Sequence, residues 1–314
     1  MQYSISVVIP NYNGKHLLEQ YLPSVLAALK QANTDYEIII SDDASVDDSV
    51  RFINDNYPEI KIISSEINRG FSHTINSGMQ IAEKTLVLLL NSDIKLKENY
   101  FQDQWKYFQD PATFGVMGSI WSEDGKRLMD AAKYPVWKGG QLRTTINCKP
   151  KNKSTSPCFT LFLSGANALV DRKKLIKLQG MDVRYSPYYM EDVDLSVRAW
   201  RMGWKCYYEP EAVCYHKLSE TIANHNSKKQ VNYISKRNKF ILHDTHLEGG
   251  TRLLWNIENI LNLLLRWMVL DLSYYKSFLA YKNIPANKNI FPVSLKKATN
   301  DILAANKDTE KELF

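Results

Sequence analysis

Four polar clusters in this sequence have residue types and spacings that could do chemistry. The first is Asp42-Asp43, with Ser45, Asp47 and Ser49 close behind. A carboxylate there could accept a hydrogen bond from a nucleobase or a ribose. The same residues would serve equally as a strand end and a helix N-cap. The second is Asn91-Ser92-Asp93, directly after the apolar run Leu86-Val87-Leu88-Leu89-Leu90. A carboxylate at the mouth of a buried strand suits a hard divalent cation bridging two phosphates; a solvated turn with Asx capping would read the same way. The third is Glu191-Asp192-Val193-Asp194, three acids at the start of a predicted helix, where the macrodipole favours negative charge. Asp194 and Arg198, at i,i+4, can pair with each other. Glu191 and Asp192 have no such local partner, and Tyr185, Tyr188 and Tyr189 precede them. Apolar rings beside a carboxylate raise its pKa toward the range of a general base. The fourth is His216, after Val213-Cys214-Tyr215. A lone histidine after a strand is usually structural, and it gains chemical meaning only where acids converge on it.

Each cluster needs an element to hold it. Residues 5–10 (ISVVIP) form a short apolar β-branched run, which predicts a buried strand followed by a turn at 11–14. Residues 15–31 place Leu17, Leu18, Leu22, Val25, Leu26 and Leu29 at helical spacing. A second strand is predicted over 37–40, a helix over about 47–56, a third strand over 60–64, a helix over 72–83 and a fourth strand over 85–90. This alternation predicts an α/β fold, a mostly parallel sheet flanked by helices. Ligands of such sheets bind beyond the carboxyl ends of the strands. Asn11-Tyr12-Asn13, Asp42-Asp43 and Asn91-Ser92-Asp93 all fall at such ends. Between 119 and 157 Gly, Pro, Lys, Ser and Asn are frequent, which predicts a long surface excursion. A strand is predicted over 159–163, a helix over 190–202 and a strand over 204–208. After His216 the pattern is helical and basic, and a polar tail is expected from about Lys288.

The 314 residues suffice for one large α/β unit with an appendage. A hydrophobic content of 44% excludes global disorder. The net charge of +6 suits phosphates or an anionic membrane surface and is too small to argue for nucleic acid. Cys148, Cys158, Cys206 and Cys214 make no C-x-x-C pair, which argues against a zinc knuckle or a thioredoxin-type site and fits a reducing compartment. No basic and apolar leader pattern precedes the first strand, so no signal peptide is expected. No run of about 20 uncharged apolar residues offers a bilayer span; residues 253–270 are interrupted by Glu258 and Arg266. Also missing are a G-x-G-x-x-G after the first strand, a phosphate loop and a G-x-S-x-G nucleophile elbow.

Taken in order, these segments resemble family 2 of the glycosyltransferases, which have the GT-A fold. The series runs from Ser6-Val7-Val8-Ile9-Pro10-Asn11-Tyr12-Asn13-Gly14 through Asp42-Asp43-Ala44-Ser45-Val46-Asp47-Asp48-Ser49 to Asn68-Arg69-Gly70-Phe71, with Asn76 and Gly78. It continues with Leu89-Leu90-Asn91-Ser92-Asp93, Ser164-Gly165-Ala166, Gly180-Met181-Asp182, Glu191-Asp192-Val193-Asp194-Leu195 with Arg198, and Tyr215-His216. The N-x-G-F and E-D-V-D-L segments look most like the rhamnosyltransferase-like branch, which builds bacterial surface polysaccharides. The resemblance implies a GT-A catalytic domain over 1–218, with a nucleotide-sugar half at about 1–118 and an acceptor half at about 119–218. Residues 219–314 would form a helical basic extension. It further implies an inverting hexosyltransferase using a nucleotide-sugar donor, dTDP-rhamnose or a UDP-sugar, a glycan or lipid-linked acceptor, and a divalent cation, Mg²⁺ or Mn²⁺.

Roles carry over position by position. Pro10 and Tyr12 would line the base pocket, with Tyr12 stacking on the pyrimidine, and Asp43 would hydrogen-bond the base. Asn68, Gly70, Asn76, Asn91 and Ser92 would complete the donor site. Asp93 matches the last acid of the D-x-D motif and would hold the metal on the diphosphate, and His216 would complete the metal site. Asp192 would be the catalytic base, with Glu191 near the acceptor. Asn91 stands where the motif has its first acid; the variant is common in this branch and leaves one fewer charged metal ligand. The alternative is a degenerate nucleotide-sugar-binding module, which would be expected to lose one of Asp192, Asp93 and His216. A nucleotidyltransferase of similar topology would need a Gly-rich loop with Arg and Lys after the first strand, and Asn11-Tyr12-Asn13-Gly14 is not one.

In the extension, Lys228, Lys229, Lys236, Arg237, Lys239 and Arg252 make a basic segment, and Leu253, Leu254, Ile257, Ile260, Leu261, Leu264 and Trp267 fall at helical spacing. Such a stripe either packs a helix on the catalytic domain, or in a homo-oligomer, or lays it on the cytoplasmic leaflet of the cell membrane as a peripheral contact. A cytoplasmic location and no nucleic-acid partner are expected.

Overall fold

The computed structural model describes residues 3–150, 158–217, 227–268, 272–287, 290–307 and 311–313. The first part alternates strand and helix: β1 (Ile5–Asn11), α1 (Lys15–Ala32), β2 (Tyr36–Asp42), α2 (Ser49–Asn56), β3 (Lys61–Ser64), α3 (Phe71–Ile81) and β4 (Leu86–Leu90). These strands pair in parallel, β2 and β4 flanking β1 and β3 outside β2. After β5 (Ile94–Leu96), β6 (Thr113–Ser122) leads into four short strands, β7 (Leu128–Asp130), β8 (Pro135–Lys138), β9 (Gln141–Thr144) and β10 (Cys148–Pro150). Then come β11 (Cys158–Phe159), β12 (Asn167–Asp171), α4 (Arg172–Lys177), α5 (Glu191–Arg201) and β13 (Lys205–His216). The main sheet runs β11-β13-β6-β12-β4-β1-β2-β3, with β12 antiparallel to both neighbours. It is a mixed, mostly parallel sheet, as the alternation predicted.

The apolar runs of β1, β2 and β4 follow from a sheet covered on both faces. Side chains alternate between two cores. Leu86, Leu88 and Leu90 join the α1 residues Leu18, Leu22, Val25 and Leu29 on one face, while Val87 and Leu89 join Ile75 and Met79 of α3 on the other. Each such buried Leu or Val contributes about 1.5–3 kcal/mol relative to exposure. Helix α3 comes close because residue 78 is glycine: a Cβ there would stand 2.5 Å from Val8 Cγ1.

Three expectations need correction. Residues 119–157 are not a surface excursion, as far as they are described. Leu128, Ala131, Ala132, Tyr134, Leu142 and Cys148 are buried in the main core. Their spacing has no period because they lie in short strands and turns, and the extension supplies their cover. That extension consists of α6 (Lys228–His246), α7 (Gly249–Met268), α8 (Leu272–Lys282), α9 (Leu295–Ala305) and β14 (Lys311–Leu313). Secondly, the polar tail from Lys288 contains α9, which Ser294 caps by accepting Lys297 N–H and which buries Leu295, Ala298 and Ile302. Thirdly, the strand expected over 159–163 is only Cys158–Phe159, whereas the one expected over 204–208 runs on to His216. That longer strand carries His216 to the sheet's functional end.

Candidate active site

The carboxyl ends of β1, β2 and β4, the turn before α3 and the start of α5 enclose a cavity of about 480 Å³. Pro10 and Tyr12 line it from the end of β1. Beside them Asn11 Nδ2 donates to Asp42 Oδ2 at 2.8 Å and Ser45 Oγ at 3.1 Å, and Asp42 Oδ1 accepts the Ser45 N–H at 2.9 Å. Asp42 therefore closes the turn, and Asp43 faces the cavity. The Asp43 carboxylate accepts N–H bonds from Arg69 at 2.9 Å and Gly70 at 2.8 Å. It thus draws the N-x-G-F segment against β2 and keeps lone pairs free for a ligand. Gly70 lines the cavity at φ +87°, and a Cβ on it would sit 2.8 Å from Pro187 Cα. Only glycine fits both the backbone and that approach. Asn68 stands exposed at the rim.

Asn76 does not belong to the cavity, a correction to its expected donor role. Its Nδ2 donates to Met181 O at 2.7 Å and its Oδ1 accepts Met181 N–H at 2.8 Å. The amide is fully engaged in bridging α3 to the segment before α5.

At the end of β4, Asn91, Ser92 and Asp93 line the cavity floor. His216 pairs across the sheet with Ile94, next to Asp93, and its Nε2 lies 3.0 Å from Asp93 Oδ2. Asp93 Oδ1 and Asn91 Oδ1 are buried with no hydrogen-bond partner among the described residues. Leaving such an acceptor bare costs about 1–3 kcal/mol, which a bound ligand would recover. Bare oxygen acceptors beside an imidazole fit a divalent cation such as Mg²⁺ or Mn²⁺. No group of three or more His, Cys, Asp or Glu gathers for a metal among the described residues. A cation here would therefore take its remaining ligands from phosphate and water.

The start of α5 also lines the cavity. Asp192 Oδ1 accepts Val193 N–H at 2.8 Å, and Oδ2 accepts Gly165 N–H at 3.4 Å. Burial pushes the Asp192 pKa up, and those two N–H groups partly offset it. Glu191 is 7% exposed, with Oε2 unpartnered. Burial, and then the neighbouring Asp192 charge, push its carboxyl well above the usual range. Asp194 behaves oppositely. Although burial pushes it up, Arg198 at 2.7 Å and His246 at 2.8 Å hold it well below the carboxylate range. It is a structural ion pair, as the i,i+4 spacing allowed.

Tyr188 and Tyr189 line the cavity from a loop that ends with Tyr189 and Met190 at φ 75° and 74°. Helix α6 holds this loop. Asn238, fully buried, points Nδ2 at the carbonyls of Tyr185 (2.7 Å), Tyr188 (2.9 Å) and Tyr189 (2.8 Å). Arg237 donates to Ser186 O. Sequence reading missed both. Arg237 read as part of a basic surface run, and no local pattern marks an asparagine whose partners lie some fifty residues away. Arg252 of that same run also turns to a partner, Asp244.

Comparison with known proteins gives the family of the chain. Residues 6–178, more than half the chain, match the family described as Glycosyl transferase family 2. An N-acetylglucosaminyl-diphospho-decaprenol L-rhamnosyltransferase of Mycobacterium tuberculosis is 25% identical over 241 residues, 69% of this chain and 77% of that protein. Glycosyltransferase GlyG of Streptococcus pneumoniae is 31% identical over 126 residues, 38% of this chain, which therefore spans only 40% of that relative's length. Among solved structures, a Pyrobaculum calidifontis mannosyltransferase in complex with GDP-Man and Mn²⁺ superposes with a TM-score of 0.57 at 15% identity, covering 98% of this chain and 80% of its own. GalNAc-T7 with UDP, GalNAc and Mn²⁺ gives 0.65 at 15% identity, covering 98% and 58%. At such identities the likeness shows the GT-A-like fold, and the family match shows the rest: this chain belongs to glycosyl transferase family 2.

Proposed function

We propose that the protein is an inverting, divalent-cation-dependent glycosyltransferase. It moves a sugar from a nucleoside-diphosphate sugar, dTDP-rhamnose or a UDP-sugar, to a hydroxyl of a glycan or lipid-linked acceptor in bacterial surface polysaccharide synthesis. The observation that carries this reading is the meeting of Asp43, the Asp93–His216 pair and Asp192 on different walls of one cavity. The mycobacterial relative is named for a lipid-diphosphate-linked acceptor and a rhamnosyl donor, which supports both halves of the assignment. On this reading residues 1–218 are the catalytic domain and 219–314 an extension built onto it.

Each residue then has a task. Pro10 and Tyr12 hold the base, Asp43 accepts a hydrogen bond from it, and Asn68 and Gly70 shape that pocket. Asn91, Ser92, Asp93 and His216 lie where the diphosphate would end. Asp93 and His216 would hold the cation, which supplies positive charge to the leaving diphosphate. Asp192 accepts the proton of the acceptor hydroxyl as that oxygen attacks the anomeric carbon, help worth about 10²–10⁴-fold. Burial raises the Asp192 pKa, which strengthens it as a base, and the Val193 and Gly165 N–H groups oppose that rise. Glu191 lines the cavity next to Asp192 and would contact the acceptor. On this reading the acceptor oxygen attacks as the diphosphate leaves, and one such displacement inverts the anomeric carbon.

The test is nucleotide release by the purified protein across a panel of nucleotide sugars, with and without candidate acceptors. One donor should be turned over, and its release should rise when an acceptor is added. Donor binding with no turnover on any acceptor would favour a binding module instead.

A further inference from the structure

Helix α7 faces the wrong way for a helix of a self-contained globular protein. Trp255 and Asn259 turn inward, 3% and 7% exposed, and Glu258 accepts the Gly140 N–H at 3.0 Å. Leu253, Ile257, Ile260, Leu261, Leu264 and Met268 turn outward, each 46–73% exposed. At 3.6 residues per turn these six fall within an arc of about 100°, and Leu254 and Leu265 border it. Leu272 and Leu279 of α8 are also more than 60% exposed. A continuous apolar face of this kind marks an interaction surface.

The charges around it indicate what covers it. Lys276 and Lys282 of α8 and Lys228, Lys229 and Lys239 of α6 are exposed. The acids of this helical unit, among the described residues, are all engaged: Asp244 with Arg252, Glu248 with Arg201 at 2.8 Å, and Glu258 with Gly140. Over residues 228–268 and 272–282 nine Lys and Arg stand against these three acids, so the apolar stripe belongs to a net-positive unit. A second copy of the chain would bring two net-positive units together, which is unfavourable. An anionic lipid leaflet offers hydrocarbon to the apolar stripe and phosphate to the lysines. No described helix is long and apolar enough to cross a membrane, so α7 would lie flat.

We propose that the outward face of α7, with the lysines of α6 and α8, docks the protein on an anionic bilayer surface. This deepens the proposed function and rests on it for its purpose: α8 packs on α6, and α6 holds the Tyr188–Tyr189 loop of the cavity. Docking would bring that wall of the site to the surface where a lipid-linked acceptor lies.

Co-sedimentation of the full chain with phosphatidylglycerol–phosphatidylcholine vesicles, without donor or acceptor, tests the surface alone. The protein should pellet at low salt and be released in part at high salt, with weaker binding to pure phosphatidylcholine. Ile260→Glu/Leu264→Glu removes two exposed aliphatic side chains without touching the core. It should weaken partitioning about a hundredfold while leaving the circular dichroism spectrum unchanged. Ile176→Glu, at an exposed position on α4, should bind vesicles like the parent. Two results would overturn the proposal: parent protein in the supernatant at low salt, or equal binding by the double variant. So would a parent dimer that the double variant splits in sedimentation velocity while vesicles capture neither. Nucleotide release with a water-soluble acceptor is measured separately, so loss of docking and loss of the transferase reading are distinct outcomes.

Discussion

Asn238→Ala tests whether the extension shapes the active site. Asn238 has two N–H donors shared among three carbonyls, at 2.7, 2.9 and 2.8 Å, in a fully buried position. Alanine removes both donors and leaves Tyr185 O only the long 3.5 Å bond from Arg237 Nη2, at about 1–3 kcal/mol for each bond lost. Two bonds' worth gives about 2–6 kcal/mol, and cavity formation adds to it. The loop has a reason to move once released: Tyr189 and Met190 sit in the left-handed region, at a cost of about 1–2 kcal/mol each. Part of the loss would then be recovered by relaxation, and that relaxation displaces Tyr188, Tyr189 and the start of α5 with Glu191 and Asp192. The expected result is a melting temperature lower by about 5–15 °C and a turnover lower by at least about tenfold. Nucleoside-diphosphate affinity, which the proposed function assigns to the ends of β1, β2 and β4, should fall less than turnover. Asn238→Asp should do no better than alanine, because a carboxylate cannot donate to the carbonyls. Scanning fluorimetry with and without nucleotide and a nucleotide-release assay measure the three quantities. If Asn238→Ala melts with the parent and turns over at the parent rate, the loop does not depend on α6 and the reasoning fails.

Asp192→Asn should keep the fold and donor binding but cut turnover by at least about a hundredfold. Since the pKa of Asp192 is raised, the acid limb of the kcat/KM profile should lie above the range of an ordinary aspartate; a limb below pH about 4 would contradict the assignment. Chelation should suppress activity, and Mn²⁺ or Mg²⁺ should restore it; full activity after exhaustive chelation would leave Asp93 a phosphate or ribose contact only. The Asp194–His246 pair should also make stability acid-sensitive. Burial lowers the His246 pKa; it pushes Asp194 up, but Arg198 and His246 together overcome that push and hold Asp194 low. In both cases the unfolded chain binds the extra proton, so stability is full above about pH 7. It then falls through the ordinary histidine range and again below about pH 4, where an unfolded aspartate protonates. Asp194→Asn should flatten the lower step in urea titrations run across pH, and an unchanged slope there would refute the linkage.

Much of the site was legible in the sequence because strand ends are local features. Apolar runs at 5–10 and 85–90 stop at polar clusters, and a parallel sheet places all such stops on one edge. That is why Tyr12, Asp43 and Asp93 meet. Asp192 was legible as an acid at a helix start without a local partner, in contrast to Asp194, which has Arg198 one turn on. Its raised pKa depends on walls that come from elsewhere in the chain. The sequence could not assign Asn76, because an asparagine at a helix surface binds a ligand or a backbone with equal chemistry. The neighbour that decides it, Met181, lies 105 residues away.

Local periodicity alone therefore determined the four parallel strands, the helices between them and the polar clusters at their ends. Tertiary structure decided what each face meets. The stretch after 119 has too little period to show a buried side, and it becomes core only under the extension. Asn238 looks like any helix asparagine until its three carbonyls are brought to it. In α7 the hydrophobic period fixes which residues share a face, but not whether that face meets protein or solvent. Periodicity is a property of one helix; burial belongs to two packed surfaces, and only the folded chain shows that, among the described residues, the leucines of α7 have no protein surface over them.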